Sequence, residues 1–179
     1  MPPNSVFTIG HSTRSLEELI AMLRACAVTR LIDIRTIPRS RHNPQFNREN
    51  LEADLPRVGI AYEHRKGLGG LRRPRKDSPN AGWRNDGFRG FADYMDSVEF
   101  EAEIAELIGS AEAEQVAIMC AEAVPWRCHR SLVADALTAR GTPVEHIMAA
   151  DKRQRHKLTP FAHVEGKSVT YPPAQGELL

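Results

Sequence analysis

Gln115–Arg140, QVAIMCAEAVPWRCHRSLVADALTAR, is the stretch that decides the fold. Its apolar run Val116–Cys120, bounded by polar Gln115 and Glu122, predicts a short buried strand. Leu132, Val133, Ala136 and Leu137 recur at helical spacing and predict one apolar helix face. That helix is expected to begin near Pro125 or Trp126 and to stop at Gly141. The link between strand and helix carries Cys120, Glu122, Pro125, Trp126, Arg127, Cys128, His129 and Arg130. Two of the three cysteines therefore fall where a strand hands over to a helix. In an open α/β sheet, ligands bind at that edge, outside the carboxyl ends of the strands.

The same strand–helix alternation extends upstream. Ser5–Ile9 is a strand candidate, and Gly10–Arg14 follows as a turn. Ser15 with Glu18 forms a capping-box pattern, and Leu16, Leu19, Ile20 and Leu23 give the next helix its apolar face. Cys26 is expected to pack near the end of that helix as a small hydrophobe. Arg30–Arg35 is a second strand, with Asp33 and Arg35 on one face. Thr36–Phe46 is a basic loop, and Asn47 can cap a helix that Pro56 and Gly59 stop. Ile60–His64 is a third strand. Arg65–Phe88 lacks apolar periodicity, and a loop of that length in a compact domain is usually functional or disordered.

Downstream, Phe88–Met95 suggests a short helix. Ser97 caps another, with Phe100, Ile104, Leu107 and Ile108 as its buried face and Gly109 as its end. Val144–Met148 is a fifth strand. Asp151–Lys157 is a polar, mainly basic run. Val164–Tyr171 suggests a small hairpin about Glu165-Gly166-Lys167, and Pro172–Leu179 is expected to be loose. Strands alternating with helices imply a mainly parallel sheet covered on both faces. The expectation is one three-layer, Rossmann-like α/β domain over residues 1–179 with about five strands. Its core spans about 5–150, with a basic Gly-rich loop at 65–88 and a C-terminal extension at 151–179.

Composition bounds the function. The 179 residues suffice for one domain with a proper core, and 41% hydrophobic with 26% charged residues is ordinary for a soluble protein. A net charge of +1 provides no global field for nucleic acid, so electrostatic attraction must come from local clusters. The opening MPPNSVFTIG lacks the pattern of a signal peptide, and no apolar run is long enough to span a membrane. Three cysteines with no extracellular context predict a reduced, cytoplasmic protein.

Three motifs stand out together: T-I-G-H-S-T-R at Thr8–Arg14, D-I-R at Asp33–Arg35, and C-x-E-x-x-P-x-x-C-H-R at Cys120–Arg130. Together they resemble the uncharacterised bacterial and archaeal family catalogued as domain of unknown function 488. The resemblance runs from about residue 6 to about residue 172. It implies a compact α/β fold and marks these motifs as the family's own; it implies no substrate.

The chemistry of the residues points to a thiol and anion site. Cys128, at the expected helix start beside Arg127, His129 and Arg130, is set to be held as thiolate. Cys120 and Glu122 share a strand-end face, so Cys120 can resolve an oxidised Cys128, form a disulfide with it, or share a metal. Cys120 to Arg127 loosely resembles a thiol-phosphatase cradle, but the spacing is one residue too long and Glu122 repels phosphate. Cys120, Cys128, His129 and His11 offer soft and imidazole ligands, though in no recognised zinc spacing; no metal or other cofactor is assigned. A parallel sheet gathers Ser12, Thr13, Arg14, Arg35, Arg130 and Lys66 at one edge, where hydroxyls and guanidinium forks suit phosphate or carboxylate. His11 and His129 can move protons, and Asp33 or Glu122 can orient them. Arg72 and Arg73 belong to the basic loop, a lid over the site or a phosphate-tracking surface. Three readings stay open. The first is an enzyme on a phosphorylated, nucleotide-like or nucleic-acid substrate. The others are a non-catalytic nucleic-acid module and a metal- or redox-responsive thiol protein.

Overall fold

A computed structural model describes residues 4–174. The expected loose end at Pro172–Leu179 and the start of the chain therefore fall partly outside the described residues. Eight strands are described: β1 (Val6–Gly10), β2 (Arg30–Asp33), β3 (Ala61–His64), β4 (Val116–Cys120), β5 (Val144–Ala149), β6 (Lys152–Arg155), β7 (His163–Glu165) and β8 (Ser168–Thr170). Between them lie α1 (Leu16–Ala25), α2 (Arg48–Asp54), α3 (Asp86–Tyr94), α4 (Val98–Ala113) and α5 (Arg130–Ala139). The main sheet runs β3-β2-β4-β1-β5-β6, with its first five strands parallel and β6 antiparallel at the edge.

The chain steps from β1 through β2 to β3 toward one edge, then returns through β4 and β5 toward the other. Reversing direction sends the crossover helices to opposite faces. One core packs Leu19, Leu23 and Leu51 under α1 and α2 against Phe7, Ile9 and Leu31. The other packs Phe91, Phe100, Leu107 and Leu132 from α3, α4 and α5 against Ile32, Ile118 and Val144. This is the three-layer, mainly parallel Rossmann-like architecture that the alternating pattern predicts. Among the described residues, no helix is long and apolar enough to cross a membrane.

Local chemistry explains the boundaries. Ser15 caps α1 by accepting from the Glu18 amide at 3.1 Å, and Ser97 caps α4 by accepting from the Phe100 amide at 3.1 Å. Asn47 precedes α2, yet its side chain accepts from the Ser40 amide and so closes the preceding loop instead. Gly109 does not end α4; the helix continues to Ala113. At that exposed position a missing side chain costs about 1 kcal/mol of propensity and breaks nothing. The basic run read as polar irregular chain contains β6. An edge strand exposed on both faces carries no alternating apolar signal. The β7–β8 hairpin turns at Gly166, which has φ +60°.

The long basic stretch is ordered. Leu68 and Gly69 are buried, and Asp93 of α3 accepts from the Arg75 amide (2.8 Å), the Ser78 hydroxyl (2.6 Å) and the Asn80 amide nitrogen (2.7 Å). Asn80 in turn accepts from the Tyr171 amide at 2.9 Å, tying this stretch to the C-terminal segment. Buried carboxylate anchors of this kind leave no periodic trace in sequence.

Candidate functional site

The ends of β1, β2 and β4 converge at the carboxyl edge of the sheet. Past the formal end of β1, the His11 amide donates to the Cys120 carbonyl (3.0 Å) and the Ser12 amide to the Ala121 carbonyl (2.9 Å). The link after β4 therefore folds down across β1. A Cβ at Gly10 would lie 1.7 Å from the Glu122 carbonyl oxygen, so only glycine admits this approach. Ser12 adopts φ +49°, a left-handed conformation that costs a non-glycine residue about 1 kcal/mol. Strain and close backbone approach thus sit together at this edge.

Two thiols form its floor. The Cys128 sulfur lies 2.7 Å from the Cys120 sulfur. Arg130, only 1% exposed, sends Nη1 to the Cys120 sulfur at 3.2 Å and to the Glu122 carbonyl at 3.0 Å. Its Nη2 donates to the Ala123 carbonyl at 3.3 Å, and its Nε has no partner. Among the described residues no carboxylate pairs with this guanidinium; the ionisable group it meets is the Cys120 sulfur, which also faces the Glu122 carbonyl at 3.7 Å. Burial pushes the Cys120 thiol up, but the Cys128 hydrogen bond and the Arg130 charge outweigh burial and bring it below its usual value. Cys128 moves the opposite way: its hydrogen bond to Cys120 and its burial raise it well above the usual thiol range. Of the two sulfurs, Cys120 is the one beside the Arg130 guanidinium, and the cation favours its ionised form.

The sequence-based reading put the thiolate at Cys128 at the helix start; the guanidinium side chain instead stands beside Cys120, for a geometric reason. The link contains a 3₁₀ turn at Pro125–Arg127, and α5 starts only at Arg130. Cys128 therefore precedes the helix, accepting only the Arg130 amide at 3.4 Å, while the Arg130 side chain reaches back to Cys120. The same geometry sets aside the phosphatase-like cradle, because the guanidinium beside the strand-end sulfur is Arg130, not Arg127.

His129 borders the thiols. Its Nε2 faces the Ile34 carbonyl (3.2 Å) and the Leu68 carbonyl (3.0 Å), so Nε2 carries the proton. Its bare Nδ1 lies 3.5 Å from the Cys128 sulfur. Gly70 packs against the ring, where a Cβ would lie 2.6 Å from Nδ1. Burial, which outweighs the two carbonyls, holds the imidazole at about 4. Burial also lowers His146 to about 3. Both rings stay neutral in the fold but bind protons when the chain unfolds below pH ~6.5. Stability is therefore complete above pH ~6.5 and declines as pH falls toward 4, His129 alone accounting for about 3 kcal/mol. Denaturant midpoints measured from pH 7 to pH 4 are expected to fall steadily, and a His129→Gln variant to fall less.

A second cluster braces the floor. Asp33 is fully buried and grips Arg35 through Nε (2.9 Å) and Nη2 (2.6 Å), while the Tyr62 hydroxyl donates to Asp33 at 2.5 Å. Arg35 also donates to the Phe46 carbonyl at 2.6 Å and to His11 Nε2 at 3.3 Å. His11 donates from Nδ1 to the Ser12 carbonyl at 2.8 Å and stacks on Phe46. Burial first, then Arg35, lowers its basicity. Asp33, Arg35 and His11 thus form a buried brace with its donors committed internally.

Above the sulfurs opens a pocket of about 360 Å³. Cys120, Cys128, His129, Arg35 and Glu122 line it. So do Thr36, Ile37, Gly70, Leu71 and Phe88, a largely apolar wall, and Arg39 and Arg127, both exposed. Asn85 and Gly87 add the start of α3. In the sequence Arg39 is one cation of the basic Thr36–Phe46 loop and Arg127 one of the link after β4; Ile37 and Leu71, exposed hydrophobics in polar loops, are the signal that marks this wall.

The remaining predicted residues lie elsewhere. Arg14 is spent on Glu18, the Gly10 carbonyl and the Met148 carbonyl. The Arg72 guanidinium lies 3.3 Å over the Tyr94 ring and donates to the Gly67 and Gly69 carbonyls. Ser12, Thr13, Lys66 and Arg73 do not line the pocket. Cys26 lies across the sheet in the opposite core. Among the described residues, no cluster of three or more His, Cys, Asp or Glu side chains is arranged to hold a metal.

Compared with known families, the chain matches one described as "Domain of unknown function DUF488" over residues 15–137. That span is shorter than the resemblance implied. It includes Asp33–Arg35 and Cys120–Arg130 and leaves out Thr8–Arg14. No curated protein and no solved structure matches the chain.

Proposed function

The chain belongs to the DUF488 family, and we propose that it is a thiol-dependent enzyme in which Cys120 attacks an anionic, nucleotide-like substrate. The observation that carries this reading is the buried Arg130 guanidinium, whose ionisable partner is the Cys120 sulfur at 3.2 Å. A buried cation is costly unless paired, so it favours thiolate over thiol, and thiolate is the nucleophile. The walls suit such a ligand. Phe88, Ile37 and Leu71 accept a ring, and Arg39 and Arg127 at the rim meet phosphate or carboxylate oxygens. Cys128 and the bare Nδ1 of His129 stand beside the reacting sulfur, where they hold a proton. Asp33 and His11 hold Arg35 at the floor rather than touch the ligand.

Alkylation tests this directly. Iodoacetamide is expected to modify Cys120 ahead of Cys128 and Cys26 at neutral pH, and excess nucleoside mono- or diphosphate to slow it. Replacing Arg39 and Arg127 together by Ala is expected to weaken that protection by about tenfold, as for two solvent-facing charge contacts. Cys120 reacting no faster than Cys26, or protection that survives the double substitution, refutes the reading. A non-catalytic nucleic-acid module is less supported, because its loop cations include Arg72, which is committed to Tyr94.

A further inference from the structure

We propose that Cys120 and Cys128 are a reversible dithiol–disulfide couple, in which Cys128 resolves a Cys120 that a hydroperoxide has oxidised. The proposal rests on Cys120 being the reactive thiolate, and it extends that reading to the regulation of the same site. The sulfurs are 2.7 Å apart, so a bond of about 2.05 Å needs only a small further approach of the two side chains. Arg130 stands 3.2 Å from the Cys120 sulfur, opposite no carboxylate among the described residues. Both sulfurs line the 360 Å³ pocket, which gives a small oxidant its route. Cys26, packed on the other face of the sheet, has no thiol partner.

The chemistry balances in two steps. The Cys120 thiolate attacks the peroxide O–O bond, forming an S–O bond; the thiolate becomes sulfenic acid and the leaving alkoxide or hydroxide takes up a proton from solvent. The peroxide gains two electrons. Cys128 then attacks the Cys120 sulfur, the S–O bond breaks, and hydroxide leaves with the Cys128 proton as water. His129 Nδ1, 3.5 Å from the Cys128 sulfur, is placed to carry that proton. The disulfide consumes the nucleophile, so oxidation switches the site off. A small-molecule thiol restores it by exchange.

Purified full-length protein treated with modest hydrogen peroxide, denatured and alkylated, is expected to retain one free thiol, Cys26, and to show a Cys120–Cys128 linked peptide. Dithiothreitol should return all three thiols and full nucleotide-protectable alkylation. In Cys128→Ser, peroxide should drive Cys120 on to sulfinic acid. In Cys120→Ser, Cys128 should remain a free thiol. Overturning results are a Cys120 that over-oxidises while Cys128 stays alkylatable in the wild type, or disulfides that form only between chains. Failure of nucleotides to protect, with the linked peptide present, sinks the substrate class and leaves the couple standing. Protection without the linked peptide does the reverse.

Discussion

Asp135→Ala is expected to cost about 3–5 kcal/mol of folding stability, a large share of what a domain of this size possesses. Asp135 lies fully buried on α5 and accepts four hydrogen bonds. They come from His156 Nε2 (2.8 Å), the Thr159 amide (3.1 Å), the Thr159 hydroxyl (2.7 Å) and the Tyr171 hydroxyl (2.7 Å). The chain continues beyond His156. Its Nδ1 lies 2.9 Å from His146 Nε2, and His146 Nδ1 lies 2.6 Å from the Thr8 hydroxyl at the centre of β1. With Asp135 ionised, His156 donates to it, His146 donates to His156, and Thr8 donates to His146. Every donor is satisfied only while the carboxylate anchors the series. Truncation leaves the wholly buried Tyr171 hydroxyl unpaired and releases the segment from His156 to Tyr171. Midpoints of urea unfolding should fall accordingly, with Tm lower by about 10 °C. Proteolysis should appear first within residues 156–171. A wild-type midpoint in Asp135→Ala refutes the anchoring role.

Periodicity made the sheet and its helices legible, because Val116–Cys120 and Leu132–Leu137 must bury their apolar faces whatever else the chain does. The convergence of β1, β2 and β4 at one edge followed from the parallel order, so Cys120, Cys128, His129 and Asp33 fell in the expected region. What stayed hidden was partner choice. An arginine's neighbours depend on where its long side chain reaches: Arg14 is spent on Glu18 and the Gly10 and Met148 carbonyls and Arg72 on Tyr94 and the Gly67 and Gly69 carbonyls, while Arg39 and Arg127 line the pocket. The thiolate assignment turned on a shift of four to five residues in the start of α5, from Pro125 or Trp126 to Arg130, because a 3₁₀ turn at Pro125–Arg127 takes the place of the first helical turn. The Asp135 and Asp93 anchors link residues far apart in sequence, and no local pattern encodes them.

Arg130→Met separates the cost of a buried charge from its use. At about 4 Å and an effective dielectric constant near 20, a unit charge is worth roughly 4 kcal/mol to an opposite charge. Removing the cation should therefore raise the Cys120 thiol by about two pKa units or more, since each unit corresponds to 1.4 kcal/mol. Iodoacetamide modification of Cys120 at pH 7 is expected to slow by about ten- to a hundredfold, and its pH profile to move upward. Arg130→Lys, which keeps a charge, should recover part of the loss. Stability should respond far less. Methionine removes the guanidinium bonds to the Glu122 and Ala123 carbonyls, but it also relieves a desolvated guanidinium whose Nε has no partner. A midpoint within about 2 kcal/mol of wild type, together with the slowed alkylation, marks Arg130 as a residue kept for the thiolate rather than for the fold. The opposite pattern, a collapse of stability with the alkylation profile unmoved, removes the charge pair on which the thiol chemistry depends.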